Sequence, residues 1–96
     1  MSFKAGDSVV LAGGMAISAY YTDTIKNKDV GKIICPLNTS TDFYLVGFNK
    51  VVSGHNMTIN VDGENIQVTN YMAAFYGREL KLAPRIKRTV VTWVSK

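Results

Sequence analysis

The sequence holds one cysteine among 96 residues, which excludes an intrachain disulfide and any metal cluster built on several thiolates. It holds one histidine, His55, in the loop Ser53-Gly54-His55-Asn56. With no second His or Cys at ligand spacing, no zinc site is expected and His55 reads as a polar loop residue. No apolar run approaches the roughly 18 residues of a membrane-spanning helix. The opening Met1-Ser2-Phe3-Lys4-Ala5-Gly6-Asp7 has no basic region followed by an apolar one, so no secretory leader is expected and the protein is placed in the cytoplasm, away from membranes. Charged side chains are sparse at 19%, but an apolar share of 47% argues against disorder.

Catalytic signatures are missing too. The serines are scattered, and none sits in the strand–turn–helix context of a nucleophile elbow. Ala12-Gly13-Gly14-Met15 lacks the lysine and helix of a phosphate-binding loop. Asp62 and Glu64 fall at a turn, where turn formation accounts for the aspartate. No enzymatic activity and no cofactor are expected. Cys35, in the apolar run Gly31-Lys32-Ile33-Ile34-Cys35-Pro36, reads as a small buried hydrophobe.

What is present is a set of short strands. At this length one compact core is expected, with residues 1–84 as the domain and residues 85–96 as a basic, β-prone carboxyl-terminal stretch. Ser8-Val9-Val10-Leu11 is a β-branched run. Residues 15–21 read as a ragged strand or a structured loop, and residues 22–29 as a polar connection. Residues 30–35 form a strand ended by Pro36, which cannot donate to a ladder. Residues 43–48 are apolar on both faces, with Tyr44, Val46 and Phe48 on one and Phe43 and Leu45 on the other, as in a central strand. Gly47 within that run suggests a bend or bulge.

Met57-Thr58-Ile59-Asn60-Val61 and Ile66-Gln67-Val68-Thr69 alternate strictly around Asp62-Gly63, the strongest hairpin signal in the chain. Met57, Ile59, Val61, Ile66 and Val68 are expected in the core. Asn70 and Gly77 bracket Tyr71-Met72-Ala73-Ala74-Phe75-Tyr76, which reads as the one helical turn. Glu79-Leu80-Lys81-Leu82-Ala83 alternates as a last short strand. The pattern predicts an all-β domain, a small barrel of five to six strands with one helical turn.

The order of these pieces resembles the Src-homology-3-like small barrel, including KOW-type and related translation-associated barrels. The resemblance rests on Phe3-Lys4-Ala5-Gly6-Asp7-Ser8-Val9-Val10-Leu11, Val30-Gly31-Lys32-Ile33-Ile34, Tyr44-Leu45-Val46-Gly47-Phe48 and Gly77-Arg78-Glu79-Leu80-Lys81-Leu82-Ala83. It spans roughly residues 3–83 and implies a binding module.

The charge is placed unevenly. From residue 78 onward six basic side chains face Glu79 alone, a balance of +5, while the first 77 residues carry −1. Cations beside an aromatic ring suit nucleic acid, because phosphates attract Lys and Arg while rings stack on bases. Arg78, Lys81, Arg85, Lys87, Arg88 and Trp93 are the candidate nucleic-acid contacts. The alternative is a protein-binding accessory or inhibitor of the kind viral and mobile-element genomes encode, binding a host protein through Tyr20, Tyr21 and Tyr76. The same stretch can also be a solubilising tail. As a third possibility, residues 89–94 form an edge strand that closes onto the domain or pairs across a homo-oligomer.

Overall fold

The computed structural model describes residues 3–12, 21, 24–26 and 28–83. Those residues include seven strands and, before the last of them, a 3-10 turn: β1 (Ser8–Leu11), β2 (Gly31–Asn38), β3 (Phe43–Gly47), β4 (Met57–Val61), β5 (Glu64–Val68), β6 (Met72–Tyr76), the turn Gly77–Glu79, and β7 (Leu80–Leu82). Five strands make one antiparallel sheet in the order β6-β3-β2-β1-β7, and β4 and β5 pair separately as a two-stranded sheet. Among the described residues β6 and β7 each have a single hydrogen-bonded neighbour, so the ladder does not close into a barrel.

The inward face follows period-two alternation. Ile33, Val46 and Ala73 stand in register across β2, β3 and β6, and Tyr44 pairs with Phe75 in the next inward row. With Phe3, Val9, Leu11, Ile25, Val52 and Leu80 they form the buried cluster, and Tyr21 and Phe48 pack against it. Leu45 and Val10 are buried on the opposite face of the same sheet. This is why the strand around residue 45 is apolar on both sides: it has β2 on one edge and β6 on the other, and it buries side chains toward both faces.

The opening turn has a definite mechanism. Gly6 takes φ +93°, and Asp7 accepts a 2.8 Å hydrogen bond from the Lys4 N–H through its carboxylate. The turned segment is then fastened to β2, with Gly6 N–H donating to Ile33 O and Ile33 N–H to Asp7 O.

Three expectations are corrected. Residues 71–76 are not helical: Met72–Tyr76 is the edge strand β6, paired residue for residue with β3. Ala73 and Phe75 are completely buried while Met72, Ala74 and Tyr76 are half-exposed, so burial alternates with period two and tertiary pairing overrides the helix preference of the alanines. The helical geometry is displaced to the 3-10 turn Gly77–Glu79. There Tyr76 N–H donates to the Glu79 carboxylate at 2.9 Å, and Ala12 N–H donates to Glu79 O at 2.7 Å.

Pro36 does not end β2, which runs on to Asn38. Strand pairing with β1 stops at Lys32, so from there on β2 is paired only with β3, and register irregularities flank Cys35 and Pro36. A proline is tolerated on such a free edge.

The hairpin forms at the expected turn, with Asp62 at φ 53° and Gly63 at φ 85°, the left-handed pair of a type I′ connection. Of its five apolar residues, however, only Val68 is buried; Ile59, Val61 and Ile66 are half-exposed and Met57 is 48% exposed. The β4–β5 ladder shares no hydrogen bonds with the main sheet, and a cleft of about 490 Å³ separates Val61 and Ile66 from Cys35, Pro36 and Leu37 of β2. Its polar face is bridged by Thr58 Oγ1–Gln67 Oε1 at 2.9 Å and Asn60 Nδ2–Asn65 Oδ1 at 3.1 Å.

Candidate functional site

The cation–aromatic feature of the described surface lies where the sheet meets its last turn. Phe43 and Tyr76 are directly opposed across β3 and β6, and their rings stand 4.9 Å apart at 51°. The 3-10 turn then carries Arg78 back over the Tyr76 ring, with its guanidinium carbon 4.5 Å from the centroid, a cation–π contact. Arg78 itself is exposed, and both rings are half-exposed.

The connection between β2 and β3 supports this corner. The Asn38 side chain accepts hydrogen bonds from Ser40 N–H at 2.9 Å and Thr41 N–H at 3.2 Å, and Asp42 adopts φ 55°. Gly77 N–H donates to Asp42 O at 2.6 Å. A Cβ at position 77 would stand 2.6 Å from Asp42 Cγ, so any other residue there would push the Asp42 carboxylate from its place. The Asp42 carboxylate also accepts from the Tyr44 hydroxyl, whose oxygen accepts from Phe3 N–H at 3.1 Å. Asp42 is thereby tied both to Tyr44 and to the turn that carries Arg78.

Of the residues expected from sequence to contact nucleic acid, Arg78 lies at this corner and Lys81 is exposed on β7. Arg85, Lys87, Arg88 and Trp93 lie outside the described residues, as does the strand expected at 89–94. Of the tyrosines in the alternative reading, Tyr20 is outside the described residues. Tyr21 is drawn toward the core, edge-to-face with Phe75 at 5.6 Å, and Tyr76 is the ring beneath Arg78. Phe43 is the participant that the sequence left in the core. Its partner Tyr76 had been placed on a helix, and only the β3–β6 register reveals that the two rings touch.

Cys35 is half-buried, and burial first, then the nearby Glu64 carboxylate, push its thiol pKa above the ordinary value. A raised pKa disfavours the nucleophilic thiolate. On the far side of the molecule Asp29 accepts from Lys26 N–H and pairs with Lys50 at 2.7 Å, and those two bonds hold its carboxyl below the usual range. Among the described residues no group of His, Cys, Asp and Glu could hold a metal ion, and no helix is long and apolar enough to cross a membrane. In comparisons with known proteins, no family model, no curated protein and no solved structure matches the chain.

Proposed function

We propose that the chain is a small non-enzymatic binding module of Src-homology-3-like architecture that takes nucleic acid through its carboxyl-terminal basic stretch. The strand order supports the architecture: β1 lies between β2 and the last strand β7, a 3-10 turn precedes β7, and the β4–β5 hairpin is an insertion between β3 and β6. A cytoplasmic location fits this reading.

The observation that carries the function is Arg78 stacked on Tyr76 beside Phe43, at the point where the +5 segment begins. Single-strand binders combine a cationic track for the phosphates with flat groups on which bases stack, and a guanidinium plane serves as such a group. Arg78 offers its outer face, Phe43 adds apolar contact, and Lys81, Arg85, Lys87 and Arg88 supply charge along the backbone. In the protein-binding alternative Tyr21 packs half-buried against Phe75 and Tyr76 lies beneath Arg78, which leaves its tyrosine surface smaller than the sequence suggested.

The test is fluorescence anisotropy with a labelled single-stranded oligonucleotide over a salt series. Affinity should fall with salt at a log–log slope of about −0.7 per neutralised phosphate. Replacing Arg85, Lys87 and Arg88 by Ala should flatten the slope by about two units, while Arg78→Ala should cost about 1–3 kcal/mol through lost stacking and charge together. Absence of binding at ~50 mM salt, where the mechanism is strongest, would refute the reading.

A further inference from the structure

The open face of the sheet carries an apolar groove of about 410 Å³ at the junction of β1, β2, β3 and β6. Val30, Ile34, Phe48, Tyr71 and Met72 wall it, and its floor is low because Gly47 has no side chain: a Cβ there would stand 3.0 Å from Ile34 Cδ1. Val30 and Tyr71 are 50% and 46% exposed, and both stand at this one concavity. Apolar side chains gathered in one concavity offer an apolar anchor a place to dock.

The position of the chain's exit points to the occupant. Ala83, the last described residue, donates its N–H to Ser8 O at 2.8 Å, and Ser8 lines the groove. Residues 84–96 therefore start at the groove's edge. Trp93 lies ten positions beyond Ala83, a reach of up to roughly 33 Å when extended, so the indole can arrive with slack. Trp93 is the largest apolar side chain of the segment and the only tryptophan in the sequence, with Val91 and Val94 beside it. A buried aromatic anchor in a preformed pocket is the usual source of such docking.

We infer that Trp93 of the same chain docks in this groove. The tether favours it over a second copy, because a short connection within one chain presents the indole at an effective concentration on the order of millimolar. Docking of this kind assigns Trp93 to the protein surface rather than to a base, and leaves Arg85, Lys87 and Arg88 free for phosphates. It does not rest on nucleic-acid binding, and its test contains no nucleic acid.

The single tryptophan makes the test direct. The full chain is studied by indole emission and acrylamide quenching at about 1 μM, well below the tethered concentration. Relative to the urea-unfolded chain, the emission should be blue-shifted and quenching reduced about threefold or more, as for an aromatic ring taken out of water. Val30→Ser and Val30→Ser/Tyr71→Ser, both at half-exposed positions, should restore unfolded-like emission and quenching while the far-UV circular dichroism of the sheet is unchanged. Native emission equal to that of the unfolded chain would overturn the inference. So would protection that survives both variants, which would place the indole elsewhere. Protection that vanishes on dilution, with a dimeric native mass at higher concentration, would hand the groove to a second copy and overturn it equally.

Discussion

Tyr44→Phe removes one oxygen and nothing else, and the structure states what that oxygen does. It accepts from Phe3 N–H at 3.1 Å and donates to the Asp42 carboxylate, in a ring that is 4% exposed. The phenyl ring can still fill the core and keep its edge-to-face contact with Phe3 at 5.4 Å, so no cavity term enters. Depriving a buried N–H of this acceptor costs about 1–3 kcal/mol, and a phenol–carboxylate bond is worth about 1.5–3 kcal/mol, of which rehydration of the half-exposed Asp42 returns a large part. A total near 2 kcal/mol is expected. For a domain of this size each kcal/mol moves Tm by about 4–8 °C, so the variant should melt about 8–16 °C below the parent by circular dichroism. A double-mutant cycle with Asp42→Gly, which tolerates the φ of 55°, should give a coupling of about 1 kcal/mol. A melting drop under about 3 °C, or a cycle that closes to zero, would show that the hydroxyl does not tie the amino-terminal segment to the β2–β3 turn.

Gly63→Ala forces a side chain into φ 85° and should cost about 1 kcal/mol or more, but the loss should appear as faster amide exchange confined to residues 57–68, because the hairpin shares no ladder with the main sheet. Cys35 should alkylate with a pH midpoint above that of the unfolded chain, and Glu64→Gln should lower that midpoint part of the way while burial keeps the remainder. Asp29 has a folded pKa below its unfolded value, so its contribution is present above about pH 4 and is lost as pH falls through the depressed value. In acid titration of the fold, Lys50→Ala should narrow that window and cost no more than about 1 kcal/mol at pH 7.

The elements written in strong local chemistry were legible. The β4–β5 hairpin was placed at its turn because Asp62-Gly63 satisfies a backbone requirement few other pairs meet, and alternation on either side fixed its register. The doubly apolar β3 was rightly expected to lie within the core, and it runs between β2 and β6. β6 was misread because five residues containing two alanines and two aromatics suit a helical turn as well as a strand; the deciding factor was an open edge on β3, which no local window displays. The same blindness hid the Phe43–Tyr76 pair, and with it the ring system under Arg78. The burial of the hairpin's apolar side was overestimated because alternation reports which side chains share a face, not whether that face meets anything.

The placement of β1 carries a kinetic liability. Val9, Val10 and Leu11 are buried residues of a strand that pairs with β2 at Ser8 and Val9 and, along its other edge, with β7, a partner some 70 positions later in the sequence. Until β7 arrives, β1 presents a bare apolar edge suited to pairing with any extended chain nearby. Contacts of such sequence separation form late, since loop closure must precede them, and sheets built on them fold on millisecond-to-second scales. The interval before β7 docks is therefore when this protein is most exposed to self-association, and a substitution that slows that one step will register as lost yield before it registers as lost stability.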